Sequence, residues 1–432
     1  MKSFYISSLV QGLAEELISP FIPLYALSLG ATKALIGLVS SLPNVAGLLS
    51  QALWGSVAEI AKKKKFLVII GGIVWSLFWI PISFVKDPYA LITLLTLQSI
   101  LSSVTVPAWT IMFIELSPKY KRGEISGNLN TASGIGYFVG NVIGGLILSR
   151  FGFVYFIFYM ICFLGIISKL VFIPVKEPIT PSATQNLVEI LKSTFSFGEI
   201  RRNKKLLNLI GVIALLNFSV SIAGPFFSIY IVKNLGGGIM DVAVISAIGF
   251  ISAIIFYRPW GTLVDYLGTR TVMLSCIIPI SFYPFVYAIS NNLVWVYLYA
   301  FIGQAAWAGF NTALFVYLSH ILPHEKGSTS VAMYNMLTGL SSAIAPFVGG
   351  MIAEFAGIWF VFILSTILRL LSMRFLEKVE EKVGLRPKGV AKIGSEPFGL
   401  ISRVQTFIST YSLLIEKTLE MNNYLRKRRR ST

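Results

Sequence analysis

The two halves of this chain carry the same landmarks in the same order. Pro20 and Tyr25 recur as Pro225 and Tyr230, 205 residues later in each case. Trp54-Gly55 followed by Glu59 recurs as Trp260-Gly261 followed by Asp265, 206 residues later. Gly144-Gly145, with Asn141 ahead, returns as Gly349-Gly350 with Pro346 ahead, again 205 residues on. Three landmarks in one order, at a shift that drifts by a single residue, mean two copies of one unit. A parallel repeat of that size implies a molecule built as two like halves, with any shared site between them.

The scarcity of charge says what the unit is. Hydrophobic residues make up 55% of the 432 and charged residues only 13%, with a mean hydropathy of +0.76. A soluble domain is about a quarter charged. The implied class is an integral membrane protein. Apolar spans run near 4–29, 35–58, 66–85, 89–114, 125–149, 153–175, 206–232, 240–264, 271–289, 293–319, 328–353 and 357–376, each with roughly the ~20 residues a bilayer core requires. The first is too long for a signal-peptide core and has no small-residue cleavage site, so it is read as a retained span. The expected fold is all-α, with twelve transmembrane helices in two pseudo-symmetric six-helix bundles, residues 1–175 and 206–376. A cytoplasmic linker, 176–205, joins them, and a basic tail, 377–432, follows. Two like bundles in a membrane point to a transporter with its site at their interface.

The net charge of +17 reads as topology rather than as a nucleic-acid footprint. Loops on the side of the termini carry Lys62, Lys63, Lys64, Lys65, Lys119, Lys121, Arg122, Lys176, Lys192, Arg201, Arg202, Lys204, Lys205, Arg270 and Lys326. Those opposite carry only Lys33, Lys86, Arg150 and Lys233. That bias places both termini in the cytoplasm of a plasma-membrane protein. The linker stretch from Leu187 to Phe197 is compatible with a short surface helix. In the tail, Leu400, Val404, Phe407, Ile408, Tyr411, Leu414 and Ile415 repeat at helical spacing, which predicts an amphipathic surface helix. The cluster Arg426 to Arg430 that follows suits anionic lipid headgroups. Cys162 and Cys276 lie in apolar runs and read as packing residues.

After the second span comes Gly55-Ser-Val-Ala58-Glu59-Ile60-Ala-Lys62, repeated as Gly261-Thr-Leu-Val-Asp265-Tyr-Leu-Gly268-Thr-Arg270. This resembles the signature of the major facilitator superfamily between its helices 2 and 3, although Ile60 and Lys62 depart from it. Span 5 reads Gly136-Tyr-Phe-Val-Gly140-Asn141-Val-Ile-Gly144-Gly145, similar to the helix 5 pattern of that superfamily's antiporters with Asn141 in place of proline. The second half offers Pro346, Gly349 and Gly350. Pro118-Lys-Tyr-Lys121-Arg122-Gly123-Glu124 resembles the superfamily's helix 4–5 loop. The resemblance implies gating roles for Glu59 and Asp265, with Glu115 facing the lysines at 62–65. Arg258, two turns above Asp265, suits an ion pair with it or a snorkelling side chain. Glycines four apart put Gly136, Gly140 and Gly144 on one helix face, where backbones can meet.

Glu15 and Glu16 are the acidic residues in mid-span, where charge is costly and marks function. Neighbours on a helix point ~100° apart, so both cannot face a cavity equally. The resemblance implies that helices 1, 4, 7 and 10 line the cavity. Further candidates for substrate or proton contact are therefore Gln11 and Tyr25, Gln98, Ser102 and Trp109, Asn217 and Tyr230, and Gln304, Trp307 and Asn311. Lys169, Arg369 and Arg374 sit near helix ends and are expected to snorkel, leaving no basic group in the cavity and favouring cationic or neutral ligands. The lead expectation is proton-coupled efflux of hydrophobic or cationic compounds by a monomer; the alternative is proton-coupled uptake of a nutrient such as a sugar. No nucleotide loop and no histidine or cysteine cluster points to an enzyme, a metal or another cofactor.

Overall fold

The computed structural model describes residues 2–61, 63–118, 122–177, 204–321 and 327–377. Nearly all of the linker and the tail from 378 onward fall outside them, including the expected surface helix, the amphipathic stretch and the arginine cluster. Within the described residues every regular element is helical. In chain order the first half contains α1 (Lys2–Glu16), α2 (Ile22–Ser28), α3 (Lys33–Ile60), α4 (Lys64–Leu77), α5 (Trp79–Ser83), α6 (Pro88–Ser102), α7 (Thr105–Leu116), α8 (Arg122–Phe151) and α9 (Tyr155–Phe172). The second contains α10 (Lys204–Ser221), α11 (Phe226–Lys233), α12 (Ile239–Leu267), α13 (Thr269–Ile289), α14 (Leu293–Ile321), α15 (Gly327–Ala356) and α16 (Ile358–Leu376). Eleven segments among the described residues are long and apolar enough to cross a bilayer. The first expected span is the exception: Gln11, Glu15 and Glu16 interrupt its apolar run, and its helix is broken.

Three breaks share one cause. A proline clashes with the carbonyl four residues earlier and lacks the N–H that would bond it. Pro20 disturbs Glu16, where α1 ends; Pro225 disturbs Ser221, where α10 ends; Pro107 disturbs Ser103, one residue past the end of α6. Pro43, Pro259 and Pro346 lie within helices that continue, so proline permits a break without enforcing it. The breaks at Pro20 and Pro225 lie where the chain borders the central cavity, the setting in which a membrane protein tolerates irregular backbone.

The repeat is visible contact by contact. Trp54 donates its indole N–H to the Ile100 carbonyl at 2.8 Å, and Trp260 to that of Ala305 at 2.7 Å. Gly136, Gly140 and Gly144 form a ridge on α8 that rests on the backbone of the first span. Ideal Cβ atoms there would stand 2.1, 2.3 and 2.2 Å from the carbonyl oxygens of Leu9, Leu13 and Leu17. Gly349 repeats the contact on α15, 2.1 Å from the Ile222 oxygen. Glycine is what allows this approach.

Contacts between the halves gather at the face away from the termini. α3 packs along α15, and α8 along α12. A Cβ on Gly37 would lie 2.4 Å from the Pro346 oxygen, one on Gly350 2.7 Å from the Lys33 oxygen, and one on Gly145 2.3 Å from the Ala243 Cβ. Asn141 is fully buried and donates from Nδ2 to the Ala243 carbonyl at 2.7 Å. The Glu354 carboxylate accepts from the Lys33 and Ala34 amides at 2.8 and 3.4 Å, capping α3 from the opposite half. Towards the face of the termini, by contrast, ideal Cβ atoms on Gly55, Gly127, Gly134 and Gly261 would meet nothing within 4 Å. Among the described residues, the close glycine contacts between the halves lie towards the face away from the termini.

Candidate functional site

Between the halves lies a cavity of about 910 Å³. Its first-half wall is polar: Ser40, Asn44 and Gln51 from α3, with Gln98, Ser99 and Ser102 from α6. Gln98 donates from Nε2 to the Trp75 carbonyl at 2.7 Å, and Ser99 from Oγ to that of Pro43 at 2.7 Å. The second-half wall is aromatic. Phe227 stacks on Phe362 at 5.0 Å and meets Tyr283 at 5.3 Å and Tyr287 at 4.7 Å. Phe227, Tyr283 and Tyr287 border the cavity. Apolar residues and hydroxyls line both sides as well (Val39, Leu48 and Trp75 from the first half, Ser228, Ser246 and Ser342 from the second), and such a mixed amide, hydroxyl and aromatic lining suits a bulky, partly apolar ligand.

A second chamber, of about 350 Å³, lies wholly in the first half. Gln51, Trp75, Ser99 and Ser102 border both spaces, so the chamber is a recess off the central cavity. Glu15 lines it. Its Oε1 accepts from Gln11 Nε2 at 2.9 Å and its Oε2 from the Tyr137 hydroxyl at 3.4 Å. Glu16 borders neither space. The ~100° between neighbours thus resolves the pair: Glu15 is the one that meets the chamber. Trp109 lines it too, stacked on Phe113 at 5.5 Å.

Other expected cavity residues sit elsewhere. Tyr25 is buried against Phe153 and Phe158 and donates to the Ile82 carbonyl at 3.2 Å. Tyr230 is buried against Phe362. Asn217, Gln304, Trp307 and Asn311 border neither space. Trp307 stacks on Phe310, and Gln304 lies over Gly249. α14 packs mainly on α12 and α13, so its polar face serves the bundle. The larger correction concerns the basic residues. Lys169 does not snorkel: it is 6% exposed and lines the chamber. Arg369 is 3% exposed, donating to the Ile280 carbonyl at 2.7 Å; Arg374 is exposed. The expectation of a cavity without a basic group therefore fails at Lys169. The sequence of α9 holds no sign of this, because the room for Lys169 comes from Gly72 on α4.

At the face of the termini, Lys64 Nζ and Glu115 Oε1 lie 3.5 Å apart. The Lys65 amide donates to Glu177 at 3.0 Å, and its ammonium to the carbonyls of Ile173 and Val175, each at 3.2 Å, tying α4 to the end of α9. Arg258 and Asp265 are both exposed and are not ion-paired with each other. Glu59 lies in the last turn of α3, but its side chain is outside what the structure describes. Among the described residues no group of histidine, cysteine and carboxylate side chains is placed to hold a metal ion.

The model of the Major Facilitator Superfamily matches residues 4–256 and 209–416. The multidrug resistance protein MdtG of Enterobacter lignolyticus is 25% identical over 285 residues, 63% of this chain and 66% of that protein. The multi-drug resistance efflux pump PmrA homolog of Lactococcus lactis is 26% identical over 360 residues, 81% of this chain and 87% of that protein. Among solved structures, the nucleoside transporter NupG superposes with a TM-score of 0.69 at 18% identity, covering 87% of this chain and 96% of that one.

Proposed function

The chain belongs to the Major Facilitator Superfamily, and from that premise we propose that it is a proton-coupled exporter of hydrophobic or cationic small molecules. The observation that carries this reading is Glu15, a carboxylate at membrane depth lining a recess of the cavity between the halves. Such a group holds either a proton or a cation, and exchanging one for the other as the halves rock couples the two flows. Relatives named as a multidrug resistance protein and a multi-drug resistance efflux pump homolog support export over nutrient uptake; the likeness to a nucleoside transporter concerns the fold. The protein works as a monomer in the plasma membrane with both termini in the cytoplasm. In that orientation the close contacts between the halves lie on the outer side of the membrane. The tail cluster at Arg426 to Arg430 meets anionic lipid.

The test is proton flux in liposomes loaded with a pH-sensitive dye and challenged with lipophilic cations. Cation-dependent flux should appear with the native chain, vanish in Glu15→Gln and survive in Glu16→Gln. Flux that Glu15→Gln leaves intact would overturn the reading, as would flux driven by a sugar and by none of the cations.

A further inference from the structure

The side chamber holds polar groups that have no partner among the described residues. Lys169 is the foremost. Its stem lies along α4 at Gly72, where an ideal Cβ would sit 1.9 Å from Cε and 2.6 Å from Cδ. A Cβ at 72 would displace this flexible side chain from its present path along α4. Yet among the described residues the ammonium has no hydrogen-bond partner, and no carboxylate comes within 4.0 Å of it. Glu15, in the same chamber, is engaged with Gln11 and Tyr137 instead. Two further chamber residues carry buried polar atoms without partners, Gln11 Oε1 and Thr105 Oγ1.

Lys169 is largely buried yet lines the chamber, so its ammonium, without a partner among the described residues, is available to an acidic group entering that space. Had the site been built only to neutralise itself, Lys169 and Glu15 would meet, and both would be satisfied. They do not meet, which leaves a cation and a carboxylate held apart in one recess of about 350 Å³. The occupant this arrangement fits carries an acid for Lys169 and a base for Glu15, the latter flanked by the free Gln11 oxygen. Its apolar body would extend past Trp75 into the central cavity, towards Phe227 and Tyr283. We propose that the side chamber is a subsite for zwitterionic substrates, with Lys169 taking the acidic group and Glu15 the basic one. This rests on the transport reading above and alters its substrate class: the protein handles molecules bearing both charges as well as simple cations.

A matched pair of probes tests it: tryptamine, a cation, and tryptophan, the same body with a carboxylate added. Calorimetric affinities would be measured on the purified full chain, on Lys169→Met, Lys169→Arg and Glu15→Gln, each checked by thermal denaturation. The native protein should bind both probes. Lys169→Met should weaken tryptophan by roughly 30-fold or more, the loss expected when one partner of a buried charge pair is truncated, while tryptamine is unaffected. Lys169→Arg should restore most of the loss, and Glu15→Gln should weaken both probes. If Lys169→Met weakens both probes alike, or tightens tryptamine and spares tryptophan, Lys169 is a structural or counter-charge residue and the subsite is overturned. A native protein that binds tryptamine but not tryptophan overturns the subsite and leaves the transport reading standing. One that binds neither these probes nor any lipophilic cation overturns both.

Discussion

Replacing Gly140 by alanine tests how packing on α8 governs the chemistry on α1. The added Cβ would lie 2.3 Å from the Leu13 oxygen and 3.0 Å from its carbonyl carbon and Cα. These are backbone atoms, so no rotamer change relieves the clash. Restoring ordinary contact requires the helices to part by about 1 Å, and overpacking of this kind costs about 1–3 kcal/mol. Alanine gains about 1 kcal/mol over glycine in helix propensity, so the net loss is about 0–2 kcal/mol, and the loss relative to an unobstructed alanine on the same helix is about 1–3 kcal/mol. Gly134→Ala is the control: same helix, same change, but nothing within 4 Å of the new Cβ. It should be neutral or stabilise by up to about 1 kcal/mol. The Tyr137 hydroxyl lies one residue from the ridge at Gly136 and reaches Glu15 at 3.4 Å, already long for a hydrogen bond. Separating the helices would break it. Gly140→Ala should therefore lose both stability in mixed-micelle unfolding and the cation response in liposomes, while Gly134→Ala keeps both. Equal stabilities for the two variants would refute the reasoning.

Two further outcomes follow from contacts elsewhere. Glu354→Ala removes the contacts that the opposite half makes to the start of α3, whose own cap at Thr32 remains, and should weaken the closed face by about 1 kcal/mol, a shift of roughly fivefold in the ratio of open to closed forms. Spin-label distances across that face would read it, and an unchanged distribution would count against a latch there. Trp260→Phe leaves the Ala305 carbonyl without its indole donor in a fully buried site, and should cost about 1–3 kcal/mol. Trp54→Phe, at the half-buried counterpart, should cost less, and the reverse order in denaturation would contradict the burial argument.

What the sequence disclosed and what it withheld divide along a physical line. Repeated residues whose role is to meet backbone were legible: the glycines of α8 and α15 and the two tryptophans occupy equivalent contacts because a duplicated chain repeats its backbone geometry. The family resemblance followed from the same landmarks. Side-chain direction was not legible. In helices apolar on every face, periodicity does not mark which side meets the cavity, so Tyr25, Gln304, Trp307 and Asn311 were expected in a lining they do not join. Lys169 is the clearest case. Near a helix end its sequence fits snorkelling, and its burial depends on one glycine about a hundred residues earlier. The breaks in α1 and α10 stood in the sequence as Pro20 and Pro225, but Pro43 borders the same cavity and its helix continues, so a proline alone did not mark where a helix ends.

The closed face has a mechanical consequence. Where α3 meets α15 and α8 meets α12, small residues bring the helices close, Gly37 on Gly350 and Gly145 on Ala243, leaving few side-chain projections at those points. A joint without teeth can roll. Turning one half against the other there slides backbone past backbone at these points and requires the Asn141 amide and the Glu354 cap to let go. A bulky residue at Gly37 or Gly145 would act as grit in that bearing, slowing turnover even where it left the cavity and its ligands untouched.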